Sequence, residues 1–119
     1  MVKLISRYTG RGPTKARATV NTNVILVVME DTLTKGEQKL VAAGEQDAVR
    51  SMRRTYQDAM RAEAIGMVET VTGRTVISSL SDIDVERNVA AEVFVLEPRP
   101  DTGVAATVEA ELDGTNAGA

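Results

Sequence analysis

Cysteine, histidine and tryptophan are absent from this 119-residue chain, which has one phenylalanine (Phe94), two tyrosines (Tyr8 and Tyr56) and three prolines. Without Cys or His there is no disulfide framework, no zinc site of the usual kind, no haem attachment and no Cys–His or Ser–His–Asp catalysis. Carboxylates, Lys, Tyr and hydroxyls remain as reactive groups. No paired motif among them points to a catalytic pocket, so the chain reads as non-enzymatic and without a cofactor. Scarce aromatics deny nucleic acid a stacking platform, and the net charge of −3 adds no attraction, so no nucleic-acid partner is expected. No apolar run approaches the roughly 20 residues of a membrane span, and the first ten residues lack the apolar middle of a signal peptide. The expectation is a cytoplasmic protein with no direct membrane insertion.

What is present fits one domain: 43% of residues are hydrophobic and 26% charged. A domain of this length buries roughly two thirds of its unfolded surface, so a partner subunit would add usefully to its stability. The axis of the chain is Glu45 to Val71. It has no proline, and Val49, Met52, Tyr56, Met60, Met67, Val68 and Val71 recur at helical intervals. Gly44 precedes it, Glu45 and Asp47 suit the positive end of the macrodipole, and Gly73 stands where a left-handed cap is wanted. Such a helix would run about 40 Å, long for a domain of this size.

Strand hairpins flank it. Residues 2–9 have helical spacing and end at Thr9-Gly10; Gly10-Arg11-Gly12-Pro13 is a turn; Thr14 to Val20 alternates as a strand. Asn21, Thr22 and Asn23 supply a turn into Val24 to Met29, an apolar run with Val24, Leu26 and Val28 on one face and Ile25, Val27 and Met29 on the other. Both faces of the sheet should therefore be covered there, by helices or by an identical subunit. Thr34-Lys35-Gly36-Glu37 has capping-box spacing and predicts a short helix up to Gly44. Thr75 to Leu80 and Ala90 to Leu96 read as the last two strands, with Asp82, Asp84 and Glu86 in an acidic hairpin loop between them. The resulting fold is α+β, in the order α-β-β-α-α-β-β, a four-stranded, mainly antiparallel sheet with the long helix on one face. Residues 1–97 form the domain, and 98–119, rich in Ala, Gly, Thr and acids, read as a disordered tail. The over-long helix and the two-sided strand together predict a homodimer.

Charge is polarised. Lys3, Arg7, Arg11, Lys15 and Arg17 precede the first acid, Glu30, whereas every charged residue after Arg99 is acidic. Gly10, Arg11, Gly12, Lys15 and Arg17 are therefore the candidate site for an anion or an acidic partner segment, since glycines let backbone N–H groups approach an anion. The plainer reading is a turn with solvated charges, for the P-loop ending is missing and Pro13 removes one donor. Asp82, Asp84 and Glu86 alternate as oxygen ligands of a divalent cation could, but the glycine of an EF-hand loop is absent and Ile83 and Val85 interleave as strand residues would. Arg50, Arg54, Gln57 and Arg61 give the long helix a partly basic, solvated stripe, with Arg53 nearby, that Asp47 and Asp58 can offset.

Four ordered stretches carry a family resemblance: Tyr8-Thr9-Gly10-Arg11-Gly12-Pro13, Glu30-Asp31-Thr32-Leu33-Thr34-Lys35-Gly36-Glu37, Thr72-Gly73-Arg74 and Glu92-Val93-Phe94-Val95-Leu96-Glu97. Together, over residues 2–97, they resemble the MpsC-type family of small domains. The resemblance implies association with a cation-translocating, membrane-potential-generating system as an accessory or interaction protein, with a membrane transport complex as its partner. It carries over no catalytic residues. The alternative from the residues themselves is a small anion-binding regulatory module, for phosphate or a nucleotide, built on the basic N-terminal turn and strand.

Overall fold

A computed structural model describes residues 1–98; the tail expectation for 98–119 falls, apart from Pro98, outside the described residues. The order is α1 (Val2–Thr9), β1 (Lys15–Asn21), β2 (Val24–Glu30), α2 (Lys35–Ala42), α3 (Gln46–Thr72), β3 (Val76–Asp84) and β4 (Val89–Leu96). The strands form one four-stranded antiparallel sheet, as expected from the sequence; their order is β1-β2-β4-β3, with the two hairpins joined at its centre.

Local chemistry accounts for the helix ends. Thr34 accepts from the Glu37 N–H while the Glu37 carboxylate accepts from the Thr34 N–H, the reciprocal box that starts α2. Gly73, at φ 66°, closes α3 in the left-handed region where a Cβ would be strained. On the exposed side of α3, Arg50 pairs with Asp47 at 2.6 Å and Arg61 with Asp58 at 3.1 Å, the intrahelical offsets that the spacing suggested.

The core lies between the helices and one face of the sheet. Leu4 and Ile5 of α1, Val49, Met60 and Ala64 of α3, and Ile25, Val27 and Met29 of β2 are buried, with Phe94 and Leu96 of β4 beneath them. Three apolar residues of α3 assigned to its inner face differ: Met52 is 38%, Met67 36% and Val71 85% exposed. The helix runs about 40 Å against strands of about 25 to 30 Å, and its last turn is tied to the start of β3 by the bond from the Val76 N–H to the Glu69 carboxylate.

Two other expectations change. β3 extends through Asp82 to Asp84, because pairing with β4 continues past Leu80 and the carboxylates take the solvent side of an alternating strand; Glu86 alone of the three acids is left in the turn. The outer face of the sheet, expected to be covered along β2, is bare in the single chain: Val24 is 38% and Leu26 37% exposed. All three helices lie on the other side.

Candidate functional site

The Gly-rich turn is a clasp. Gly10, at φ 80°, caps α1 through its N–H to the Ser6 carbonyl, and a Cβ on Gly12 would come within 3.1 Å of Val2 Cγ1. Arg11 reaches back to the loop after β2, donating to the Leu33 carbonyl at 2.5 Å and to Asp31 Oδ2 at 2.6 Å. Asn88, in the left-handed region at φ 59°, completes the knot: its Oδ1 accepts from the Thr32 and Leu33 N–H groups and its amide donates to Asp31 Oδ1. Arg11 thus holds the turn against the β2–α2 loop.

Lys15 and Arg17 stand elsewhere, on the exposed face of β1, where they line a shallow cleft of about 350 Å³ with Thr14, Val28 and Glu30. Arg17 approaches Glu30 at 4.0 Å. The five predicted residues are therefore split between a structural clasp and a sheet surface. Further along, Arg7 and Tyr8 both bond Glu63, fastening α1 to α3, and the bond to Glu63 raises the Tyr8 pKa.

A buried ion pair escaped the sequence reading. Arg53, grouped there with a solvated stripe, is 5% exposed and forks onto Glu37, Nε to Oε2 at 2.9 Å and Nη2 to Oε1 at 2.6 Å. Nη2 also donates to the Thr32 carbonyl at 2.7 Å. Burial raises the Glu37 pKa, but bonds from Arg53 and Thr34 outweigh it and the net shift is downward. The signal was present: 49, 53, 60 and 64 fall on one helical face, and Arg53 sits among its buried residues.

Glu92 is a second buried carboxyl, 6% exposed on the inner face of β4, with the Ser81 hydroxyl donating to it. Burial pushes its pKa up, and the bond from Ser81 and the charge of Arg61 offset this only in part. A carboxyl held above its unfolded-chain value of about 4.5 keeps its proton better when folded, so its contribution to stability falls as pH rises through the window between those two values. Glu92→Gln should therefore be more stable than wild type at neutral pH, and the difference should vanish as pH falls towards 4.5, read by urea melts across pH.

Arg74 is the remaining polar keystone. It donates to the Thr22 carbonyl at 2.9 Å, Asn23 Oδ1 at 2.5 Å and the Glu97 carbonyl at 2.9 Å, binding the β1–β2 turn to the end of β4.

The cross-strand register makes the bare outer face a patterned surface. One row runs Lys15, Glu30, Val89, Asp84 and the next Arg17, Val28, Ala91, Asp82. A third runs Thr19, Leu26, Val93, Leu80, with Leu80 56% exposed. Bases stand on the β1 edge with Glu30 beside them on β2, apolar residues fill the rest of the two middle strands on this face, and acids stand on the β3 edge at the same end of the sheet.

The model of the family described as Na+-translocating membrane potential-generating system (MpsC) matches residues 1–98, the whole of the described fold. The chain belongs to the MpsC family. No curated protein and no solved structure matched. Among the described residues no helix is long and apolar enough to cross a membrane. The four stretches through which this MpsC chain resembles its family hold Arg11, Asp31, Glu37, Arg74 and Glu92, five of the side chains that fasten one element to another.

Proposed function

We propose that this protein is a non-enzymatic accessory subunit of a cation-translocating, membrane-potential-generating system, working from the cytoplasm as a homodimer and joining a membrane transport complex without entering the bilayer. Family membership supports the link to such a system. The observation that carries association is the outer sheet face, where Val24, Leu26 and Leu80 are exposed in a row-by-row apolar band. By contrast, Arg11, Glu37, Arg53 and Arg74 are engaged in holding the fold.

The anion-binding alternative keeps the cleft lined by Lys15 and Arg17. It is the weaker reading, because Arg11 is committed to Asp31 and Glu30 contributes a carboxylate to the same cleft. The test is affinity purification of the full chain from detergent-solubilised native membranes. Recovery of integral cation-transport components is expected; recovery of none, with calorimetric binding of phosphate or a nucleotide abolished by Lys15→Ala and Arg17→Ala, would replace the accessory reading with the regulatory one.

A further inference from the structure

We propose that two copies of this chain associate through the outer faces of their sheets about a two-fold axis parallel to the strands, with Arg17 and Lys15 of each copy opposite Asp82 and Asp84 of the other. The proposal rests on the homodimer reading above and adds its geometry.

Four strands about 4.8 Å apart and seven residues long at about 3.3 Å each make a plate of roughly 20 by 20 Å, and covering it on both copies approaches the roughly 1,000 Å² that a specific interface needs. Stacked sheets pack about 10 Å apart with their strands aligned to within about 30°, which leaves two face-to-face arrangements. An axis in the interface across the strands sets β1 over β1, with Lys15 above Asn21 and both acids of β3 over their own strand. An axis along the strands reverses the strand order while preserving position along each strand. β1 then lies over β3 and β2 over β4.

Charge decides between them. Arg17 and Asp82 occupy the two ends of one row, and Lys15 and Asp84 the two ends of the neighbouring row. Only the second arrangement therefore brings base over acid, at both edges at once. It also sets Leu26 over the partner's Val93, closing the apolar band that the helices leave bare. Within a single chain Glu30 is the acid beside these bases, opposite Lys15 and 4.0 Å from Arg17, whereas Asp82 and Asp84 lie three strand spacings away, about 14 Å, so the pairs with Asp82 and Asp84 form only between copies. An isologous contact of this kind closes at two subunits and leaves both helical layers facing outward, available to a larger assembly.

The experiment is sedimentation equilibrium of the full chain as wild type, Arg17→Asp, Asp82→Arg and the double variant, with circular dichroism melts to confirm that each is folded. Wild type should be a dimer. Each single variant should weaken dimerisation roughly ten- to a hundredfold, since like charges then face each other twice, and the double variant should recover most of the loss. A monomeric wild type would overturn the homodimer and this geometry together. A dimer indifferent to both single changes, or one that the double change fails to restore, would overturn the geometry and leave the homodimer standing on another surface.

Discussion

Arg53→Ala is expected to cost about 3–5 kcal/mol of unfolding free energy, a large share of the roughly 5–15 kcal/mol that a domain of this size has. The cost arises mainly from what is left behind. Glu37 would keep its place in the capping box but lose the guanidinium that, with Thr34, lowers its pKa, leaving a buried carboxylate without its counter-charge. The Thr32 carbonyl would lose its donor in the same step. The pH dependence identifies the cause. A carboxyl held below its unfolded value contributes stability that is present above about 4.5 and lost as pH falls through the lowered folded value. The deficit of Arg53→Ala should therefore be largest near neutrality and shrink in acid, where Glu37 is protonated with or without its partner. Adding Glu37→Gln should recover part of the loss, because Gln can still accept from the Thr34 N–H at the helix start but carries no charge to strand. Urea melts of the single and double variants at neutral and acid pH measure both effects. Equal deficits at the two pH values would mean that lost packing, not the bare carboxylate, sets the cost.

The contrast between Arg53 and its helical neighbours explains how much of this fold was legible. Element order, the capping box at Thr34, the glycine closing α3 and the Asp47–Arg50 pair all follow from interactions within a few residues, so the sequence contains them directly. Arg53 does not, because residue type suggests exposure, while its buried place comes from Glu37, 16 residues earlier. Helical period was the usable signal. The same holds for Glu92: period two puts it on the face of Phe94 and Leu96, yet only the assembled sheet shows Ser81 beside it. The extent of β3 is a tertiary matter, since Asp82 and Asp84 are of a type that strands usually lack and are held by pairing with β4. The candidate anion site divided because sequence proximity places Arg11 near Lys15 but says nothing of Asp31, which the fold brings to within 2.6 Å of Arg11.

Adjacent residues of β2 provide the sharpest test of which face is inside. Val27 is 8% exposed, and its cross-strand partners are Ala18 and Glu92. Val27→Asp would put a carboxylate into the core about 5 Å from a carboxyl that burial already disfavours ionising. Desolvation and like charge act together, so a loss of about 4 kcal/mol or more is expected, easing in acid as both groups take up protons. Leu26, one residue earlier, faces the opposite way between Thr19 and Val93. Leu26→Asp should cost the isolated fold only about 1 kcal/mol, because its new charge stays in water. At the centre of the bare face, however, the same change should leave the chain monomeric by light scattering, since pairing would desolvate an aspartate from each copy. Destabilisation without dissociation at 27 and dissociation without destabilisation at 26 are thus opposite results from neighbouring positions. Equal destabilisation at both, measured in urea under conditions where each variant is monomeric, would show that the outer face is packed within a single chain and would remove the basis for pairing through it.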